Sequence, residues 1–90
     1  MAANQYYIGE TVIFNVEVRN SDGDLVDPDT MKITISNKVV VVNNQDMIRD
    51  SVGVYHYNYT SVVTGPFIAV YTAVDYDRVS KAKDNIQIVN

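Results

Sequence analysis

Alternation of apolar and polar residues is the clearest pattern along this chain. It runs through three segments, Thr11–Arg19, Thr30–Ser36 and Val54–Thr60. In the first segment every second residue from Val12 to Val18 is apolar. The positions between them are polar, except for Ile13. A period of two is typical of a β-strand with one buried face, because successive side chains point to opposite sides. The pattern predicts three half-buried strands.

Shorter apolar runs between turn residues predict the remaining strands. These are Gln5–Ile8, Val39–Arg49, which is bent or broken near Asn43-Asn44, Phe67–Asp75 and Asn85–Val89. The polar stretch Asp77–Lys83 is predicted to be a loop, and no segment keeps a helical period for longer than a turn. About seven short strands predict an all-β fold, an Ig-like two-sheet β-sandwich that forms a single domain over residues 1–90.

A small barrel is the alternative to the sandwich. The connection Ser21–Asp29 contains an Asp-Gly turn and a proline, and it is longer than a hairpin loop requires. Such a connection is typical of a crossover between two sheets, which favours the sandwich.

Composition supports the all-β prediction and limits the partners. The 16 valines, 8 isoleucines and 6 threonines make up a third of the 90 residues, and these β-branched side chains favour strands. The net charge is −4 and no basic run occurs, so we expect no nucleic-acid partner. We also expect no membrane partner, because apolar runs such as Val39–Val42 are far shorter than the roughly 18 residues of a span. The N-terminal residues lack a signal-peptide pattern.

Catalytic and cofactor chemistry is not expected. The chain has no cysteine and one histidine, so neither a thiolate nor a cluster of histidine ligands can form. His56 is the only candidate general base, and its strand position predicts a half-exposed histidine instead. We therefore predict a protein that is not an enzyme and binds no cofactor.

Aspartates cluster in the loops that an Ig-like sandwich brings to one end. The members of this possible cation site are Asp22, Asp24, Asp27, Asp75 and Asp77. Calcium prefers several carboxylates together with carbonyl oxygens. Aspartate is also a common turn residue for local reasons, and Arg78 lies in the same region.

Three tyrosines alternate with polar residues in one strand, at Tyr55, Tyr57 and Tyr59. Aromatic side chains on one face of a strand are expected to face the core. An exposed stacking ladder, as in a carbohydrate-binding module, is the alternative.

The strand Phe67–Asp75 is apolar on both faces, although the outer face of a two-layer sandwich should be polar. The run Val39–Val42 is also apolar on both faces and would be an aggregation hazard as a free edge. A docking surface explains both features. The residues predicted to form this protein-interaction surface are Val39, Val41, Ile68, Val70 and Val74.

Several motifs together resemble one family. They are Tyr7-x-Gly9-Glu10-Thr11-Val12, then Val18-Arg19-Asn20-x-Asp22-Gly23-Asp24-Leu25-Val26-Asp27-Pro28, then Met47 to Tyr59, Gly65-Pro66-Phe67 and Ile86-x-Ile88-Val89. The chain resembles the single-domain Ig-like proteins encoded among the virion genes of tailed bacteriophages. More loosely, it is similar to Ig-like modules of bacterial surface proteins and to macroglobulin-type modules.

The resemblance implies a structural role in a virion, as a capsid decoration or as a neck or tail accessory. It implies that the partners are other virion structural proteins, including further copies of this chain, and that assembly occurs in the host cytoplasm. The looser resemblance implies a spacer or adhesion module at a cell surface. Neither resemblance carries a catalytic residue.

Overall fold

The computed structural model describes residues 4–76 and 78–90. Eight β-strands account for most of these residues. They are β1 (Gln5–Tyr7), β2 (Thr11–Glu17), β3 (Thr30–Asn37), β4 (Val39–Asp46), β5 (Ile48–Ser51), β6 (Val54–Thr60), β7 (Gly65–Asp75) and β8 (Arg78–Val89).

The strands form two sheets, which confirms the two-sheet sandwich over the barrel. One sheet has five strands in the order β1-β8-β7-β3-β4, and the other has three in the order β2-β6-β5. All neighbouring strands are antiparallel except β1 and β8, which run parallel.

The core lies between the sheets and contains the side chains that the alternation assigned to it. Its buried hydrophobic members are Val12, Phe14, Met31, Ile33, Ile35, Met47, Tyr55, Phe67, Ala69, Tyr71, Ala73, Ile86 and Ile88. Tyr57 and Tyr59 pack against this cluster, so the three alternating tyrosines face the core as predicted. Ile13, the exception in its strand, lies on the outer face and is 54% exposed.

The segment Val39–Arg49, predicted as a strand bent or broken near Asn43-Asn44, forms two strands that separate at Met47, where the chain changes sheets. β4 belongs to the five-stranded sheet and β5 to the three-stranded sheet. Between them Met47 is buried, and its backbone N–H donates to the carbonyl oxygen of Met31 at 2.9 Å. The buried methionine anchors the crossing, so the structure has eight strands where about seven were predicted.

The predicted loop Asp77–Lys83 is wrong over the part that the structure describes. From Arg78 onward the chain pairs with β7 in an unbroken antiparallel register, which begins with Asp75 opposite Arg78. The side chains of the first half of β8 are exposed, so the segment is polar although it is extended. A strand that buries neither face lacks the alternation by which strands are predicted.

The long connection after β2 crosses from one sheet to the other, as its length predicted. It also meets the turn between β7 and β8, since the backbone N–H of Tyr76 donates to Oδ2 of Asp29 at 2.8 Å. The two loops therefore lie at one end of the sandwich, as an Ig-like arrangement requires.

Candidate interaction surface

β7 is the central strand of the five-stranded sheet, and its outward side is largely apolar. Ile68, Val70 and Val74 alternate there with the buried residues of the inward side. Ile68 is 41% exposed, and Val70 and Val74 are partly exposed between the flanking strands. The structure thus places three of the five predicted interaction residues on one face.

Two further valines extend this surface. Ser36 of β3 pairs with both Ile68 and Val40, so Val40 lies on the same face, and Val79 of β8 lies directly opposite Val74. Val40 is 56% exposed and Val79 is 61% exposed. We call the five residues Ile68, Val70, Val74, Val40 and Val79 the β7 patch. Sequence reasoning missed Val79 because its segment was predicted to be a loop.

Polar residues cross and flank the β7 patch, because Thr72 lies between Val70 and Val74 on the same side of β7. Lys81 and Lys83 of β8 pair with β7 residues on this face, and Lys32 of β3 lies across β7 from Lys81. The Lys32 ammonium forms an ion pair of 3.1 Å with Asp46. The face is therefore apolar and positively charged on a chain whose net charge is −4. A partner that matches it would combine apolar and acidic groups.

The other two predicted interaction residues, Val39 and Val41, lie on β4 and are exposed. β4 is an edge strand, as predicted, but its pairing with β3 is irregular at two places. At one of them Val41 is an extra residue with no partner in the register. At the other Asn44 has a φ of 53°, and its N–H donates to Thr34 Oγ1 at 3.0 Å. Bulges of this kind hinder the addition of another strand to an edge.

Asp27, one of the predicted cation ligands, already has three partners. Its carboxylate accepts hydrogen bonds from Arg49 Nε at 3.1 Å, from the Gly53 N–H at 2.8 Å and from the Tyr55 hydroxyl at 3.2 Å. The Arg49 hydrogen bond, followed by that of Gly53, lowers the pKa of Asp27 below its ordinary value. This carboxylate therefore ties the crossover loop to β5 and β6.

Asp22, Asp24 and Asp75 do not gather with Asp27 around a common point. The side chain of Asn20 accepts hydrogen bonds from the backbone N–H groups of Asp22 and Asp24, which closes a local turn. Asp75 lies opposite Arg78, and Asp77 lies outside the described residues. Within residues 4–76 and 78–90, no three His, Asp or Glu side chains are close enough together to hold a metal ion.

His56 lies on the outer face of the three-stranded sheet and is partly exposed, as predicted. Its Nδ1 is 2.7 Å from Oδ1 of Asp50. The pair links β5 to β6.

In the part of the chain that the structure describes, no helix has the length and hydrophobicity to cross a bilayer. No protein-family model matches the sequence, and neither does any curated protein.

The fold itself has a known counterpart. The chain is similar to the crystal structure of the Lin-41 filamin domain, with a TM-score of 0.68 and 13% sequence identity. The match covers 99% of this chain and 86% of that one. The protein is thus an all-β, filamin-type, Ig-like β-sandwich with sheets of five and three strands.

Proposed function

We propose that this domain is a non-enzymatic interaction module that docks onto a partner protein through the β7 patch. The observation that supports the proposal is the apolar outward side of a central strand, bordered by Lys32, Lys81 and Lys83. Single exposed apolar residues are common on protein surfaces and need no explanation. Several apolar residues along one side of an outer strand, interrupted here only at Thr72, support a surface that a partner covers.

We propose a virion as the setting, on the strength of the resemblance to single-domain Ig-like virion proteins. The domain would act there as a capsid decoration or as a neck or tail accessory. Its partner would be another virion structural protein or a second copy of this chain. Repeated copies suit such a role, because even a small interface becomes effective when many equivalent sites are occupied.

The first test is the mass of the purified chain by light scattering across a concentration series. If the partner is a second copy, the chain forms a defined oligomer that Val70→Lys dissociates. Val62→Lys is the matched control, because Val62 is 84% exposed and lies in the turn between β6 and β7. A chain that is monomeric at every concentration would exclude the second copy as the partner.

The second test uses the lysines beside the patch. An amine-reactive cross-linker applied to assembled particles is expected to join Lys81 or Lys83 to a capsid or tail protein. Lys38, which is exposed in the turn between β3 and β4, is the internal control. Absence of the chain from purified particles would contradict the virion setting. A longer natural chain with a signal peptide would favour the cell-surface alternative.

A further inference from the structure

β8 has a second structural feature, at the edge of the five-stranded sheet opposite β4. β1 pairs only with Gln87–Val89 at the end of β8. Among the described residues, the earlier part of β8 from Arg78 to Ile86 pairs with β7 alone. Within residues 4–76 and 78–90, its other side is therefore a strand edge of about nine residues with no partner strand.

The backbone of this edge is regular enough to accept another strand. The Gln87 N–H donates to the carbonyl oxygen of Asn4, so the backbone groups of Gln87 point away from β7. Backbone N–H and C=O groups alternate in direction along a strand, and the β7–β8 register is unbroken. Val79, Lys81, Lys83 and Asn85 therefore direct their N–H and C=O groups to the free edge. In contrast to β4, no bulge interrupts them.

Space for inward side chains lies beside the same edge. Two neighbouring depressions, of about 200 Å³ and 180 Å³, separate β8 from the end of β2. Both are lined by Val18, Arg19, Ala73 and Ser80, and the second also by Ala82. The inward residues of β8 at the second depression, Ser80 and Ala82, are small, so an added strand could place apolar side chains over Val18 and Ala73 there. Asp75 and Arg78 line the first depression, which is more polar.

The charges at this edge determine which strands can add to it favourably. The side chains of Lys81 and Lys83 stand on the outer face, at positions whose backbone groups face the edge. If two copies paired β8 with β8 in antiparallel fashion, registers centred on residues 81 to 83 would place lysines opposite lysines. Like charges directly opposite each other are destabilising, whereas acidic residues there are favourable.

We propose that the β8 edge binds an extended segment of a partner protein in which acidic and apolar residues alternate. The segment adds as a sixth strand. Its acidic side chains lie opposite Lys81 and Lys83, and its apolar side chains enter the depression lined by Ser80 and Ala82. This edge adjoins the β7 patch, because the side chains of Val79, Lys81 and Lys83 face that patch while their backbone groups face the edge. The proposal does not depend on the docking proposed for the patch.

The probe is a labelled seven-residue peptide of alternating glutamate and valine, with binding followed by fluorescence anisotropy. We expect it to bind at least about tenfold more tightly than a lysine–valine peptide of the same pattern. We expect N-methylation of its edge-facing amides to abolish binding, because a strand ladder requires those groups. Hydrogen exchange of the Val79, Lys81 and Lys83 amides should slow when the peptide is saturating.

Charge reversal on the protein gives the decisive comparison. The double variant Lys81→Glu/Lys83→Glu should prefer the lysine–valine peptide, while Lys38→Glu should behave as the native chain. The substituted lysines are exposed, and urea denaturation checks that each variant is folded. Equal binding of the two peptides, undiminished binding of the N-methylated peptide, or exchange protection on β4 instead of β8 would each overturn the proposal.

Discussion

The backbone N–H of Gly53 donates a hydrogen bond of 2.8 Å to Oδ1 of Asp27. The two residues are 26 positions apart, and their contact joins the crossover loop to the turn between β5 and β6. The carbonyl oxygen of Gly53 also accepts from the Val18 N–H at 2.7 Å. This pair therefore holds the loop that connects the two sheets.

Asp27→Asn should lower stability in a pH-dependent way. The Arg49 guanidinium, and then the Gly53 N–H, hold the pKa of Asp27 below its ordinary value of 3.8. A lowered pKa in the folded state stabilises the protein above the unfolded pKa, and this contribution is lost as pH falls through the folded pKa. The native chain should therefore be the more stable at pH 7, and the difference should shrink below about pH 4.

Urea denaturation of both chains at several pH values between 7 and 3 measures this difference. Arg49→Met is the control, because it removes the main cause of the lowered pKa. In that background the effect of Asp27→Asn should depend less on pH. A difference that is equally large at pH 7 and pH 3 would contradict the role assigned to Asp27.

Gly53→Ala should destabilise the domain more than the same change at another glycine. Gly53 has a φ of 72°, and a Cβ there would lie 2.8 Å from the Val18 carbonyl oxygen and 2.9 Å from the Val26 nitrogen. Both are backbone atoms that cannot move independently of the loop. We expect a loss of roughly 3 kcal/mol, the sum of left-handed strain and the clash.

Gly23→Ala is the matched control for that steric clash. Its φ of 88° is similar, and a Cβ there meets no atom within 4 Å. The loss should be about 1 kcal/mol, from backbone strain alone. Thermal denaturation measures the loss of stability in each variant. Equal losses would mean that the close approach of backbone atoms at Gly53 does not contribute to the loss.

The core position Ile33 and the surface position Ile13 should respond differently to the same truncation. Ile33 is completely buried between the sheets, so Ile33→Ala should cost about 2–5 kcal/mol from lost burial and the resulting cavity. Ile13 lies on the outer face, and Ile13→Ala should cost less than about 1 kcal/mol. Urea denaturation measures both, and similar costs would contradict the assigned faces of β2 and β3.

Tyr71→Phe tests the contact that joins the buried face of β7 to β8. The Tyr71 hydroxyl donates to Oδ2 of Asp84 at 2.7 Å, and burial, followed by this hydrogen bond, raises the pKa of Tyr71. Removal of the hydroxyl should cost about 1 kcal/mol. Asp84→Asn keeps an acceptor oxygen and should cost less. If the asparagine variant is the less stable one, the charge matters more than the hydrogen bond.

Local patterns predicted some features of this fold correctly. The alternation in Thr11–Arg19 and Thr30–Ser36 assigned the buried faces of β2 and β3, including the outward position of Ile13. The length of Ser21–Asp29 predicted the crossover between sheets. These features can be predicted from nearby residues because burial of one face of a strand places an apolar residue at every second position.

Features that depend on distant partners were not predicted. The first half of β8 is a strand because it pairs with β7, although no hydrophobic pattern marks it. The change of sheet at Met47 also depends on the positions of β3 and β6. The residues next to Met47 in the sequence do not indicate those positions. The predicted aspartate cluster joined loops that do share one end, but Arg49 of β5 and Gly53 of the turn between β5 and β6 bind Asp27.

By itself, the sequence determined an all-β sandwich, the inward residues of its alternating strands and an excess of apolar residues on β7. Only the tertiary structure decided that Val40 and Val79 join that surface, that Lys81 and Lys83 border it, and that β8 has a regular free edge. The physical reason is that side-chain burial repeats along a strand, whereas strand pairing is set by contacts between residues far apart in the chain.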